Sequence, residues 1–382
     1  MRQRSGSSLE LALTERRFPS RRVFGPGIVR GVLALTLCVS GASTRANLFG
    51  FLSAPATKTT VDALTPSTES ISHEVKEIFE KSGRAVVKIR GTDEHGDLSG
   101  TGFFIDPAGT IYTAFSVGGD TDNLTVEFEG KTYPVRVMMA DLRSGIAILK
   151  ADIATPALPI GKSETMEVAT PVMAIGYPFD LPSTPSFGMV AGFDRKFLDR
   201  YFCTTHVRVN LPTQRGEAGA PLLNFKGEVV GILVAQIENG SACYALPIDA
   251  AEKIRNDFIR FGEARHGWIG INVAQAPKPV EGSTAEMTEI MKDAPAYGSG
   301  IKPGDILLQV GKTQVHQPED VIDASFFITA GDTVPIIVMR GTEKMTFEVQ
   351  ADFHPQSHHA PLFASPGQNG LPLQIEATRR TP

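Results

Sequence analysis

Thr213-Gln214-Arg215-Gly216-Glu217-Ala218-Gly219-Ala220-Pro221-Leu222-Leu223-Asn224 is the stretch on which the reading of the chain turns. A Gly-x-x-Gly loop runs straight into the apolar Pro-Leu-Leu-Asn. The side chains framed by the two glycines are Glu217 and Ala218. Alanine has no oxygen and no other polar atom in its side chain.

Outward from this loop the pattern is short strands separated by turns. Ala85–Ile89, Thr101–Ile105 and Ile111–Thr113 precede it, with a turn at Asp106-Pro107-Ala108-Gly109. Leu124–Phe128 alternates apolar and polar residues and turns at Glu129-Gly130, and Ile146–Lys150 is a buried strand. This spacing predicts an all-β barrel or sandwich. Helices are expected at Ser72–Lys81, where Val75, Ile78 and Phe79 share a face, and at Asp249–Phe261, where Ile254, Phe258 and Phe261 do.

The landmarks fall in the order found in the HtrA family of exported trypsin-like proteases with PDZ domains. Gly100-Thr101-Gly102-Phe103 resembles the family's Gly-Ser-Gly-Phe strand. Asp141–Lys150 resembles its Asp-Pro-Arg-Thr-Asp-Leu-Ala-Leu-Leu-Lys, and Ala174–Phe179 its Ala-Ile-Gly-Asn-Pro-Phe. The opening loop resembles Gly-Asn-Ser-Gly-Gly-Pro-Leu-Leu-Asn, and Gly227–Ile232 and Tyr244–Ile248 continue the match. The resemblance runs from about Ser72 to Phe353. It implies a mainly β protein: a two-barrel, chymotrypsin-fold domain with the active site in the cleft between perpendicular six-stranded barrels, then one PDZ domain.

Serine-protease chemistry needs an oxygen nucleophile, a base beside it and a carboxylate that orients the base. At the three positions where the resemblance implies His, Asp and Ser, this chain has Ser116, Gly145 and Ala218. His73, His95 and His206 fall at no triad position. The oxyanion hole uses backbone N–H groups, so Gly216 and Ala218 keep that capacity in principle; Ala220, in place of a glycine, argues for a collapsed loop instead.

In the second module, Trp268-Ile269-Gly270-Ile271 resembles the loop that captures a peptide carboxylate, after which a strand receives the peptide. Gly300–Leu307 is the most specific landmark there. Glu319–Ile328 reads as the groove helix, with Val321, Ala324 and Ser325 facing the groove. A lone Trp is equally at home as a packing anchor.

Net charge is −5 over 382 residues. Residues 1–46 hold eight Arg and two Glu, a net of +6, which leaves −11 for the rest. Such an acidic body argues against nucleic acid as a partner. Residues 1–46 read as an export signal, Sec or twin-arginine (Ser20-Arg21-Arg22-Val23-Phe24), whose apolar run Gly31–Val39 is too short to span a bilayer, and no span is expected in the mature chain. Residues 47–70 read as a linker, 71–262 as the trypsin-like domain, 263–353 as the PDZ domain and 354–382 as a disordered tail. The resemblance puts Cys203 and Cys243 on neighbouring strands of one barrel, a candidate disulfide; two buried free thiols is the alternative. No metal constellation or cofactor motif is present.

Three functions follow. The first is a catalytically inactive HtrA-like protein of a bacterial cell envelope or periplasm, binding exposed or C-terminal peptide segments as a chaperone-like, scaffold or regulatory subunit. The second is an active serine endopeptidase with displaced catalytic residues. The third is a structural envelope protein whose PDZ domain holds one fixed partner. The resemblance also implies trimers; homotrimerisation and assembly with an active paralogue both stay open.

Overall fold

The computed structural model describes residues 68–197, 200–237 and 240–354. The expected export signal, most of the linker and nearly all of the tail lie outside the described residues. Among the described residues four α-helices punctuate a chain of strands: α1 (Thr68–Ser82), α2 (Phe115–Gly118), α3 (Ile248–Phe261) and α4 (Asp320–Phe327). No described helix is long and apolar enough to cross a membrane.

The first barrel is a seven-stranded sheet whose middle strands are Val86–Asp93, Gly96–Phe104, Thr110–Ala114 and Ile146–Lys150. Its edges, Lys131–Pro134 and Arg136–Asp141, are consecutive in the chain and separated only by Val135. One bent segment thus supplies both edges and rolls the sheet into a barrel. The bend follows Pro134, which has no N–H to continue a ladder.

The middle strands read as unbroken apolar runs because both of their faces are buried. One face, with Val87, Ile89, Phe104, Ile111 and Leu149, fills the barrel. The other, with Val86, Phe103, Tyr112, Ile146 and Ile148, packs between the barrels. Phe103 and Tyr112 meet edge-on there at 5.9 Å. Burial of both faces favours continuous runs over alternation.

The second barrel is closed, with Arg200–Asn210, Ala242–Pro247, Val229–Ile237, Pro221–Leu223, Pro171–Gly176 and Thr184–Phe197 in ring order. The expected disulfide is overturned here. Both cysteines are free thiols. Cys243 pairs in register with Val209, six residues along the same strand from Cys203, or roughly 20 Å at about 3.3 Å per residue. A disulfide needs Cα atoms within about 7 Å. Cys243 belongs to the interior of the second barrel, whereas Cys203 packs on the cluster between the barrels.

Helix α3 ends at Gly262, whose φ is 78° and whose N–H donates to the Phe258 carbonyl at 2.8 Å. This is the left-handed glycine stop that ends many helices. The C-terminal module follows. Its sheet runs Ile271–Val280, Ser283–Ile290, Ile306–Val310, Thr333–Arg340 and Glu343–Gln350, so Ile271–Val280 is an outer strand. Gly267–Trp268 pairs separately with Asp352–Phe353.

The C-terminal module is bolted to the barrels. Phe326 of α4 is fully buried in the cluster that joins the two barrels and α3. Asp257 of α3 receives the Arg265 N–H at 3.0 Å and the Thr329 hydroxyl at 2.9 Å, and pairs with Lys253 at 2.7 Å. Arg195, Thr204 and Thr205 of the second barrel all bond Asp323.

Candidate functional site

The loop quoted at the outset is a tight turn, and its glycines are obligatory. Gly216 has φ of 100° and Gly219 of 85°. A Cβ on Gly216 would sit 2.3 Å from the Tyr177 carbonyl oxygen, and one on Gly219 2.2 Å from that of Thr101. The Thr101 hydroxyl donates to the Gly216 carbonyl at 2.7 Å and the Thr101 N–H to the Ala218 carbonyl at 2.9 Å. The two barrels therefore hold the loop together. Ala220 is buried and its N–H donates to the Glu217 carbonyl at 3.0 Å. Among the described residues, the N–H groups of Gly216 and Ala218 donate to no protein acceptor.

Fold and loop bring together the three positions at which the resemblance implies a triad. Ser116, exposed on α2, and Ala218 line the same cavity of about 350 Å³. Gly145 sits beside them: its carbonyl accepts the Phe115 N–H at 2.7 Å, and a Cβ on it would lie 3.8 Å from Val234 in the cavity wall. Among the described residues, no histidine lines the cavity. His206 is buried, with Nδ1 on the Thr204 carbonyl at 2.9 Å and its ring stacked on Phe202. His95 stands exposed in a hairpin turn beside Asp93 and Glu94.

One Asp–His pair was not foreseen in the sequence. Asp141 accepts from His266 Nε2 at 3.0 Å and from the Ser144 N–H at 3.0 Å. Burial works to raise the Asp141 pKa, but the charge of His266 and these hydrogen bonds outweigh it and hold the carboxyl well below the usual range. The pair cannot drive acyl transfer as it stands. His266 Nδ1 is buried with no partner among the described residues, so no described hydroxyl lies where a nucleophile would be activated.

The comparisons agree with this architecture. A trypsin-like peptidase domain model matches residues 100–232 and a PDZ domain model residues 267–351. A "Probable periplasmic serine endoprotease DegP-like" of Pseudomonas fluorescens is 28% identical over 309 residues, 77% of this chain and 64% of the relative. "Serine endoprotease DegS" of Escherichia coli K12 is 25% identical over 303 residues, 73% of this chain and 85% of the relative. The chain thus spans somewhat under two thirds of the DegP-like relatives it matches. Among solved structures, an HtrA-type protease AlgW with a tripeptide superposes with a TM-score of 0.63 at 20% identity, covering 74% of this chain and 97% of that one. The chain is HtrA-like, a trypsin-like peptidase domain followed by one PDZ domain.

In the PDZ domain the loop Trp268–Ile271 opens the outer strand. The Ile269 carbonyl accepts the Ala296 N–H at 3.0 Å and the Gly270 carbonyl the Met291 N–H at 2.9 Å. The N–H groups of Ile269 and Gly270 donate to no protein backbone acceptor among the described residues. Ile271, Val273 and Val321 are half-buried against the domain core. Trp268 packs edge-on against His354 at 5.2 Å.

One expectation needs correction, and one glycine of the loop proves fixed. Ala324, expected to face the groove, is 1% exposed and part of the PDZ core; half-buried Ser325 is its neighbour on α4. Gly270 cannot be enlarged without damage to the fold, because its φ is 75° and a Cβ would lie 2.1 Å from that of Ala294. A bulky residue there would strain the whole domain, not just block a ligand.

Proposed function

We propose that this chain is a catalytically inactive HtrA-like protein that binds exposed or C-terminal peptide segments. It works in a cell envelope, after export, as a chaperone-like, scaffold or regulatory subunit. One observation carries the reading: a loop with unsatisfied N–H groups at Ile269 and Gly270 leads directly into the unpaired edge of Ile271–Val280. Unpaired N–H groups suit a carboxylate, and a free strand edge suits an incoming strand. The barrel cleft complements this. With Ser116, Gly145 and Ala218 in place of a triad, it holds a chain without cutting it. The AlgW structures with a tripeptide and with a decapeptide, and the periplasmic DegP-like relatives, support peptide binding and export.

Calorimetry of the full-length protein with C-terminal peptides, as free acids and as amides, tests the reading. Free acids ending in an apolar residue should bind, and their amides should bind at least tenfold more weakly. Val321→Glu, which puts a charge beside the half-buried groove floor, should weaken the free acids equally. Equal affinity for acids and amides would reject carboxylate capture and favour a PDZ domain with a purely structural role.

A further inference from the structure

The PDZ sheet has two edges, and they are built differently. The groove edge, Ile271–Val280, carries Pro277 and Pro279, and its pairing with Ser283–Ile290 shifts register twice. Prolines and irregular pairing keep an edge from joining other strands. The opposite edge, Glu343–Gln350, has neither. Its eight residues contain no proline and pair with Thr333–Arg340 without a break. Among the described residues no second strand pairs with it.

The free groups of this edge follow from its pairing. Ala351, just past the strand, turns both backbone groups inward: its N–H donates to the Asp332 carbonyl at 2.9 Å, and its carbonyl accepts the Gly331 N–H at 2.8 Å. Inward and outward residues alternate along an antiparallel strand. The N–H and C=O groups of Lys344, Thr346, Glu348 and Gln350 therefore face outward. The side chains of these four residues are exposed, whereas Met345, Phe347 and Val349 pack on the PDZ core.

The strand is complementary to itself. In an antiparallel pair centred on Thr346, Lys344 of one copy stands opposite Glu348 of the other, and the reverse pair forms across the axis. Met345 stands opposite Phe347 on the core side. A shift of two residues either way separates both charge pairs. A shift of one sets core-side residues against solvent-side residues.

We infer that two copies of this chain associate through Glu343–Gln350, edge to edge about a two-fold axis at Thr346. The contact is isologous, so it closes at two copies. Main-chain hydrogen bonds from Lys344, Thr346 and Glu348 hold it, and the two Lys–Glu pairs fix its register. Only a short edge is covered, which places the contact in the weak class below about 1,200 Å². The two grooves then lie at opposite ends of one continuous sheet, with five strands on either side of the axis. Such a pair offers two grooves at once to a partner with several exposed segments, and linked sites bind far more tightly than single ones. The pairing goes beyond the proposed peptide binding and does not depend on it.

Single cysteines in the full-length protein read the register directly. Thr346→Cys sets two thiols opposite each other at the axis, with Cα atoms about 5.5 Å apart, inside the range for a disulfide. Mild oxidation should give a covalent dimer. Lys344→Cys alone should not, because its two copies lie four residues out of register, roughly 13 Å at about 3.3 Å per residue. Mixed with Glu348→Cys it should. The parent, with its native cysteines, is the control. Sedimentation equilibrium up to about 0.5 mM covers weak association. Lys344→Glu should weaken that association about tenfold, since two attractive pairs become two like-charge contacts. Adding Glu348→Lys to the same chain should restore it. These positions are exposed, so the substitutions spare the fold, and self-association elsewhere in the chain is common to parent and variants. No dimer from Thr346→Cys, equal cross-linking of Lys344→Cys, or association indifferent to Lys344→Glu would overturn the inference, as would failure of the charge swap to restore it. Peptide binding by the same variants bears on the proposed function alone.

Discussion

Arg195 of the second barrel donates from Nε to Asp323 Oδ2 at 3.0 Å, across the junction between barrel and PDZ domain. The same guanidinium reaches Asp320 at 2.7 Å, and the hydroxyls of Thr204 and Thr205 complete the cage around Asp323. Helix α4 is thus held on the barrel by one face and borders the PDZ groove with another. Arg195 keeps 26% of its side-chain exposure, so part of its attraction is screened by solvent.

Arg195→Ala should leave Asp320 and Asp323 without their cation at a half-buried junction. We expect a loss of roughly 1–3 kcal/mol, read as a lower denaturation midpoint and faster hydrogen exchange in α4. Unchanged exchange in α4 would show that Phe326 alone holds the helix down.

A second junction is drier. Lys253 and Asp257 pair at 2.7 Å with side chains 9% and 5% exposed. Asp257→Ala would strip three partners at once: Lys253, the Arg265 N–H and the Thr329 hydroxyl. Removing one partner of a buried pair costs about 3–5 kcal/mol. The double change Lys253→Met with Asp257→Leu should recover a good part of that loss. Guanidinium titrations of both variants check this, and equal stability of the single variant and the parent would contradict it.

His206 sets a pH dependence. Burial lowers its pKa from the usual 6.5 to about 4, against the hydrogen bond to Thr204, which raises it. The unfolded chain therefore binds a proton below pH 6.5 that the folded chain refuses until about pH 4. Below that ordinary pKa the unfolded state holds more protons, so stability is present above pH 6.5 and is lost as pH falls toward 4. The full effect is on the order of 3–4 kcal/mol, at about 1.4 kcal/mol per unit. His206→Gln should flatten this part of the stability–pH curve between pH 7 and 4.5; an unchanged slope would assign it to other groups.

Ala218→Ser should not confer proteolysis. Ser116 and Gly145 still leave a serine without its base and without the carboxylate that orients it. Casein should stay intact, and a fluorophosphonate probe should label neither the parent nor the variant. Gly145→Asp would meet a further obstacle, since φ there is 78° and left-handed backbone costs about 1–2 kcal/mol for a residue with a side chain. Labelling of any serine in the parent chain would point to a displaced catalytic apparatus and against the inactive reading.

Sequence pattern alone carried the order of strands, the two modules and the three residues, Ser116, Gly145 and Ala218, that the resemblance sets at triad positions. Those features rest on local pattern: apolar runs, turn residues, and the glycines at 216 and 219, which no other residue can replace. The helices were legible for the same reason, with Asp249–Phe261 expected and Ile248–Phe261 found. What pairs with what was decided only by the tertiary structure. Cys203 and Cys243 share a barrel but not a neighbourhood, because the register sets Cys243 against Val209. Ala324 turns inward because α4 is pinned by Asp320 and Asp323 on one side and Phe326 on another. The Asp141–His266 pair joins residues 125 positions apart. It is likewise invisible in sequence, since a carboxylate's partner is a matter of which distant groups the fold brings within about 4 Å.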